Sequence, residues 1–259
     1  MSVFITGASS GLGAALARHY ASAGHSLGLV ARREDRLEKL VASLPGQHRI
    51  YVLDVRDRVA LHRAAEDFLA CCDGHVDIVI ASAGISAGTL TEQPDDFSVF
   101  KSIIETNVFS TVSTFEPFIA SMTKKRRGTL VGIASVAGVR GLPGAGAYSA
   151  SKAAVATYCE SLRLELKPQG VHVVTIAPGY IRTEMTAKNP YGMPFLMDVD
   201  VFAIRAAKSI EHHTSYVVIP WQMGWVARVM RLLPNWLYDR LAVNAPRKPR
   251  QAVTSSSDS

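Results

Sequence analysis

Seven short apolar runs alternate with longer stretches of helical periodicity, and this alternation restricts the fold more than any other feature of the chain. The runs are 2–6 (S-V-F-I-T), 26–30, 50–54, 77–81, 129–134, 171–176 and 216–220. They are apolar on both faces, as strands of a helix-covered parallel sheet are. Helical segments separate them at roughly 12–23, 57–72, 97–124, 148–167 and 199–211. Gly24 and Gly170 stand where helix C-termini belong. Strand alternating with helix predicts a doubly wound α/β sheet with helices on both faces. No internal repeat or linker divides the chain, so 1–245 reads as one domain. Residues 246–259 have the composition of a flexible tail.

The first strand runs into T-G-A-S-S-G-L-G, which opens the first helix. Gly7, Gly11 and Gly13 follow the spacing G-x-x-x-G-x-G. Glycine permits the tight turn and lets main-chain N–H groups approach a pyrophosphate at a helix N-terminus. The motif is weak as text, but its place between an apolar strand and a helix strengthens it. No G-K-[ST] follows, so it is not a P-loop. Ser9, Ser10 and Leu12 belong to the same turn. The second strand ends in V-A-R-R-E-D, where a dinucleotide site reads its ribose. An acid there would accept from a 2′-hydroxyl; Arg32 and Arg33 instead suit a 2′-phosphate. NADP(H) is therefore favoured, with NAD(H) as the alternative.

A-Y-S-A-S-K-A then sets Tyr148 and Lys152 at i, i+4, on one helix face and among small neighbours. Ser135 ends the strand T-L-V-G-I-A, at the carboxyl edge where ligands of such sheets sit. Asn107 is a polar residue in an apolar helix. Together they suit carbonyl reduction, which adds a hydride to carbon and a proton to oxygen. A free phenol, with a pKa near 10, is a poor proton source at neutral pH. An ammonium at ~5 Å and an effective dielectric of ~20 contributes roughly 3 kcal/mol, or about two pKa units. Tyr148 would then work as general acid–base, and Ser135 would stabilise charge on the substrate oxygen.

Composition excludes several other classes. The charge of +6 is diffuse, and no basic stripe is interleaved with aromatics, which argues against nucleic acid. Cys71, Cys72 and Cys159 form no C-x-x-C pair and have no histidine at ligand spacing, so no metal site or disulfide framework is expected. The start M-S-V-F-I-T-G has no signal-like character, and no apolar run spans about 18 residues; a cytoplasmic protein is expected.

T-G-A-S-S-G-L-G, Asp54 in L-D-V, A-S-A-G, Asn107, Ser135, Y-S-A-S-K and P-G-Y-I-R-T occur in an order and spacing that resemble the short-chain dehydrogenase/reductase family, over residues 1 to about 185. The resemblance implies a Rossmann-like fold of seven parallel strands and a Ser–Tyr–Lys triad, extended by Asn107 to a tetrad. Lys152 would hold the nicotinamide ribose, and Asn107 a water linking Lys152 to solvent. Asp54 and Val55 would lie near the adenine. Ala83 and Gly84, in A-S-A-G, belong to the cofactor site. Pro178, Gly179 and Thr183 would approach the nicotinamide. A homodimer through the helices of Tyr148 and Asn107 is implied as well. Two residues depart from the pattern. Ser82 replaces the usual Asn of N-A-G, and Ser10 stands where NADP-dependent members often carry a base. Phosphate discrimination then falls to Arg32 and Arg33. The Y-x-x-x-K spacing separates the chain from the enoyl-reductase branch.

Beyond residue 185 the resemblance fades. Residues 186–200 occupy the place of a mobile substrate loop, where Tyr191, Met193, Phe195, Leu196 and Met197 would line an apolar pocket. An amphipathic extension, 221–243, follows the last strand. Trp221, Trp225, Val229 and Leu232 or Leu233 recur at helical spacing, with Arg228, Arg231 and Arg240 nearby. It reads as a helix covering the substrate cleft or a subunit interface; peripheral contact with an anionic membrane is the alternative. The expected activity is NADP-dependent interconversion of a hydrophobic or lipid-like carbonyl and its secondary alcohol. A non-catalytic NADP-binding sensor is the competing class.

Overall fold

The computed structural model describes residues 1–187, 189 and 191–250. One sheet of seven strands is built from β1 (Ser2–Thr6), β2 (Ser26–Ala31), β3 (Arg49–Val52), β4 (Ile78–Ala81), β5 (Thr129–Ile133), β6 (His172–Pro178) and β7 (Tyr216–Ile219). Their order is β3-β2-β1-β4-β5-β6-β7, and every pairing is parallel. This is the Rossmann-like, doubly wound arrangement expected. Chain direction across the sheet reverses between β1 and β4, and a ligand crevice opens at such a switch.

Strands β1, β4 and β5 are buried along their whole length, which is why they read as continuous apolar runs. On one face α1 (Gly11–Ser22), α2 (Glu34–Ala42) and α8 (Val199–Glu211) bury Leu16, Leu37 and Phe202. On the other, α3 (Arg58–Cys71), α5 (Ser110–Lys125) and α6 (Gly146–Leu166) bury Phe68, Phe115, Phe118 and Leu162.

The structure departs from the sequence reading in three places. The short helix α2 was not expected, because Leu37 alone of its side chains is fully buried and its apolar signal is faint. The long helix at 97–124 is interrupted. It becomes α4 (Asp96–Ile104), a π-helical turn at Glu105–Phe109, and then α5. Thr111 Oγ1 donates to Asn107 O at 2.8 Å and Thr114 Oγ1 to Ser110 O at 2.6 Å. Such back-bonding hydroxyls loosen a helix. The wide turn carries Asn107, and π-turns of this kind recur at functional sites.

The third difference is at the C-terminus. Residues 221–243 form two helices, α9 (Trp221–Leu232) and α10 (Asn235–Ala242), because Pro234 cannot continue the first. Between β6 and α8 lies the short helix α7 (Glu184–Ala187). Arg140 fastens α9 to α10, donating to Met230 O at 3.1 Å, Leu233 O at 2.9 Å and Asn235 Oδ1 at 3.0 Å. The chain then returns across the molecule. Gly88 N–H donates to Pro249 O, and Arg250 pairs with the buried Asp96 at 2.9 Å. The start of the expected tail is therefore held, because a carboxylate with 3% exposure requires a cation. Residues 251–259 lie outside the described residues.

Candidate active site

A cleft of about 380 Å³ opens at the carboxyl ends of the strands. It is lined by Gly7, Ser9–Gly13, Arg32, Arg33, Asp54, Val55, Ala83, Gly84, Ser135, Tyr148, Lys152, Pro178, Gly179 and Thr183. Every catalytic and cofactor candidate from the sequence is in that lining except Asn107, which lies behind it; the candidates of the substrate loop are not. Gly7 adopts φ +70°, and a Cβ there would stand 2.7 Å from Ala83 Cα, so the turn closes against the end of β4 only with glycine. Thr6 Oγ1 accepts from Ser82 N–H at 3.2 Å and from Ala83 N–H at 3.4 Å, tying the β1 and β4 ends together beside Ser82.

The two arginines after β2 are used differently. Arg33 donates to Ser9 Oγ at 3.0 Å and Ser10 Oγ at 2.8 Å, so its guanidinium hangs over the glycine turn. Arg32 leans toward Asp54 at 3.6 Å, and Arg56 holds the same carboxylate at 2.7 Å. The hydrogen bond from Arg56 keeps Asp54 below the usual carboxylate range. Sequence reasoning missed Glu184, which pairs with Arg33 at 3.6 Å and with Arg36. It also missed Thr186, whose Oγ1 accepts from Thr183 N–H at 2.9 Å and fixes the turn after β6. Thr183 ahead of a short helical stretch, a residue type favoured at N-caps, was the available signal. A donor fork above two hydroxyls and a helix N-terminus fits the phosphate of a dinucleotide.

At the other end, Tyr148 is in the first turn of α6 and Ser135 follows β5. Ser135 Oγ accepts from Ala137 N–H at 3.1 Å, which orients the hydroxyl. Burial pushes the Tyr148 phenol up from its ordinary pKa, and a hydrogen bond with Ser135 pulls it back. Lys152 is buried, donates to Ile133 O at 2.8 Å and has its pKa brought down to about 8 by that burial. Its Nζ stands 5.9 Å from the Tyr148 ring centre. The phenol's resting environment is thus governed by burial, with Ser135 opposing it, rather than by Lys152.

Both side-chain donors of Asn107 are engaged. Its Oδ1 accepts from Ile85 N–H at 2.8 Å, while Nδ2 donates to Ile85 O at 3.0 Å and to Ser151 Oγ at 2.9 Å. It therefore clamps the strand β4 exit to α6. No side-chain donor is left for a water.

The substrate-loop candidates separate. Tyr191 packs edge-on to Tyr180, with ring centres 6.5 Å apart. Met197 joins the core under α8 and bridges to Ile181, whereas Phe195 is exposed. Lys188 and Pro190 lie outside the described residues. Helix α9 packs inward through Met223, Ala227 and Met230, against Val136, Val139 and Tyr180. The stripe read from the sequence points the other way: Trp221 and Trp225 are 63% and 60% exposed.

The family model described as short chain dehydrogenase matches residues 1–192. The chain belongs to that family. It is 37% identical to an uncharacterised oxidoreductase of Myxococcus xanthus (strain DK1622), over 92% of this chain and 94% of the relative. A short-chain dehydrogenase from Streptomyces avermitilis superposes with TM-score 0.77 at 27% identity, covering 94% of this chain and 98% of that one. A second, from Sphingobium yanoikuyae in complex with NADPH, gives TM-score 0.75 at 27% identity, over 90% and 96%. The short-chain dehydrogenase is thus an NAD(P)-dependent oxidoreductase. Among its described residues no helix is long and apolar enough to cross a membrane.

Proposed function

We propose that the enzyme uses NADP(H) to interconvert a hydrophobic carbonyl and its secondary alcohol. The observation that carries this is one cleft with Arg33 on Ser9 and Ser10 at one end and Tyr148 beside Ser135 at the other. The NADPH-bound neighbour supports the choice of cofactor. Arg33 would pair with the 2′-phosphate, while Asp54 and Val55 flank the adenine. Pro178, Gly179 and Thr183 would face the nicotinamide.

Bound NADPH supplies the hydride. Ser135 donates to the substrate oxygen, and Tyr148 Oη passes it a proton. Lys152 holds the ribose and steadies the phenolate once its Nζ is drawn off Ile133 O. Asn107 keeps Ile85 and Ser151 in place, so the floor and α6 hold one distance. The aromatic pair Tyr180 and Tyr191, which brings the loop close to Tyr148, suits an apolar substrate body.

Two surfaces suggest partners. Ala150 and Ala154 are exposed on α6, and Phe97 and Phe109 on the adjoining helices, as a homodimer face would be. All three tryptophans are exposed, on α9 and α10 near Arg228 and Arg240, and this favours contact with an anionic membrane as a second reading. The test is NADPH and NADH binding, followed by NADPH oxidation with methyl ketones of rising chain length. Selective NADPH binding with kcat/KM rising along the series is expected. Equal affinity for NADH, or no turnover of any ketone, would remove the respective half of the proposal.

A further inference from the structure

From the returning C-terminal segment we infer an anion-binding subsite beside Tyr148, in which Lys248 selects substrates that carry a carboxylate, sulfonate or phosphate near the carbonyl. The inference rests on the carbonyl-reductase reading above and specifies its substrate class.

The segment is placed by contacts independent of Lys248 itself. Arg250 grips Asp96 side-on through one guanidinium edge, with Nε at 2.9 Å from Oδ2 and Nη2 at 3.0 Å from Oδ1. Asp96 Oδ2 also accepts from Leu90 N–H at 2.8 Å, so the anchor is joined to the loop after β4. Gly88 pairs in register with Arg250, and a Cβ on Gly88 would stand 2.3 Å from Lys248 O. Only glycine admits the segment at this distance. On the opposite side Arg247 packs over Gly144, in the loop that leads into Tyr148.

Lys248 is thereby directed inward. Its Nζ donates to Ser86 Oγ at 2.7 Å and stands 5.3 Å from the Tyr148 ring centre. That is closer than Lys152. Among the described residues no carboxylate lies within ion-pair distance of it. A hydroxyl is a weak partner for a mostly buried ammonium, and such a cation needs an anion. Ser86 and Lys248 together offer an anion two kinds of donor. The carbonyl that Tyr148 would protonate is then only a few bonds from that anion. The aromatic pair Tyr180 and Tyr191 and this cation together define an amphiphilic substrate.

The test compares levulinate, a keto acid, with its neutral methyl ester. The preference for levulinate in kcat/KM is expected to fall about 10- to 100-fold in Lys248→Gln, the size of a charge-assisted hydrogen bond, and to return in Lys248→Arg. Gly88→Ala, which displaces the segment but leaves the charge, is expected to lose the same preference. Calorimetric titration of levulinate into the NADP-saturated protein gives a readout that needs no turnover, and Lys248→Gln should weaken that binding by the same factor. Equal changes on acid and ester, or levulinate binding that ignores Lys248, would overturn the subsite. An equal rise on both substrates would show the segment to be a plug instead. Failure of the ester and of every neutral ketone to turn over would count against the reductase reading alone, because levulinate binding still decides Lys248.

Discussion

At the adenosine end of the cleft the wall is mostly main chain: a glycine turn, two strand ends and a helix N-terminus, with Arg33 laid over two serine hydroxyls. Around Tyr148, at the proposed substrate end, the neighbours include side chains brought from far along the chain. Tyr191 comes from the loop before α8, and Lys248 from the last described segment. Main chain at a strand-to-helix turn can take few forms, so its residues are dictated locally. Side chains on an extension can take many forms, so they are not dictated by the local turn.

Tyr148→Phe should break the comparison most sharply, since its proposed role is at the chemical end alone. Turnover is expected to fall at least about a thousandfold, as loss of general acid catalysis does, with NADPH affinity changed only a few-fold. Steady-state kinetics and fluorescence titration check the two halves. Affinity lost in step with turnover would mean that Tyr148 holds the cofactor rather than the proton.

How much the sequence disclosed follows the same division. Seven strands, the cleft and the placing of Ser135, Tyr148 and Lys152 were legible, because period and motif coincide along contiguous residues. The π-turn at 105–109 was not, since hydrophobic period alone does not show a one-residue widening. Nor was the inward face of α9. Trp221 and Trp225 dominate the apolar pattern, yet the smaller Ala227 and the methionines make the contact. The docking of 247–250 was hidden by composition: P-R-K-P-R reads as tail until Asp96, 154 residues away, supplies a buried carboxylate.

Lys152 marks the cost of the catalytic end. Burial lowers its pKa to about 8, against an ordinary value of 10.5 in the unfolded chain. Below pH 8 both states are protonated, and the folded state carries the full penalty. Between about 8 and 10.5 the unfolded chain binds more protons, so stability rises with pH. Lys152→Met should therefore stabilise the fold by about 3 kcal/mol at pH 7, and the gain should shrink on titration toward pH 10. Denaturant unfolding at several pH values tests this. A destabilised Met variant at pH 7 would show that the bond to Ile133 O outweighs desolvation.

The cofactor end should respond more modestly. Arg33→Ala is expected to weaken NADPH about tenfold or more while leaving NADH nearly unchanged, if its guanidinium pairs with the 2′-phosphate as proposed. Arg32→Ala should matter less, since Arg32 already leans on Asp54. The reverse ranking would move the phosphate toward Asp54 and Arg56. The smallest effect belongs to the outer face of α9.

Trp221 and Trp225 are mostly exposed, so the double change to Ser should shift stability by less than about 0.5 kcal/mol. Pelleting with anionic vesicles, in contrast, should drop severalfold and remain sensitive to salt, because indole burial and arginine charge act together at such a surface. A drop in Tm of several degrees would mean that the tryptophans are covered in the assembled protein. The α9 face would then be a contact between copies, and the change in sedimentation coefficient between wild type and variant would measure it.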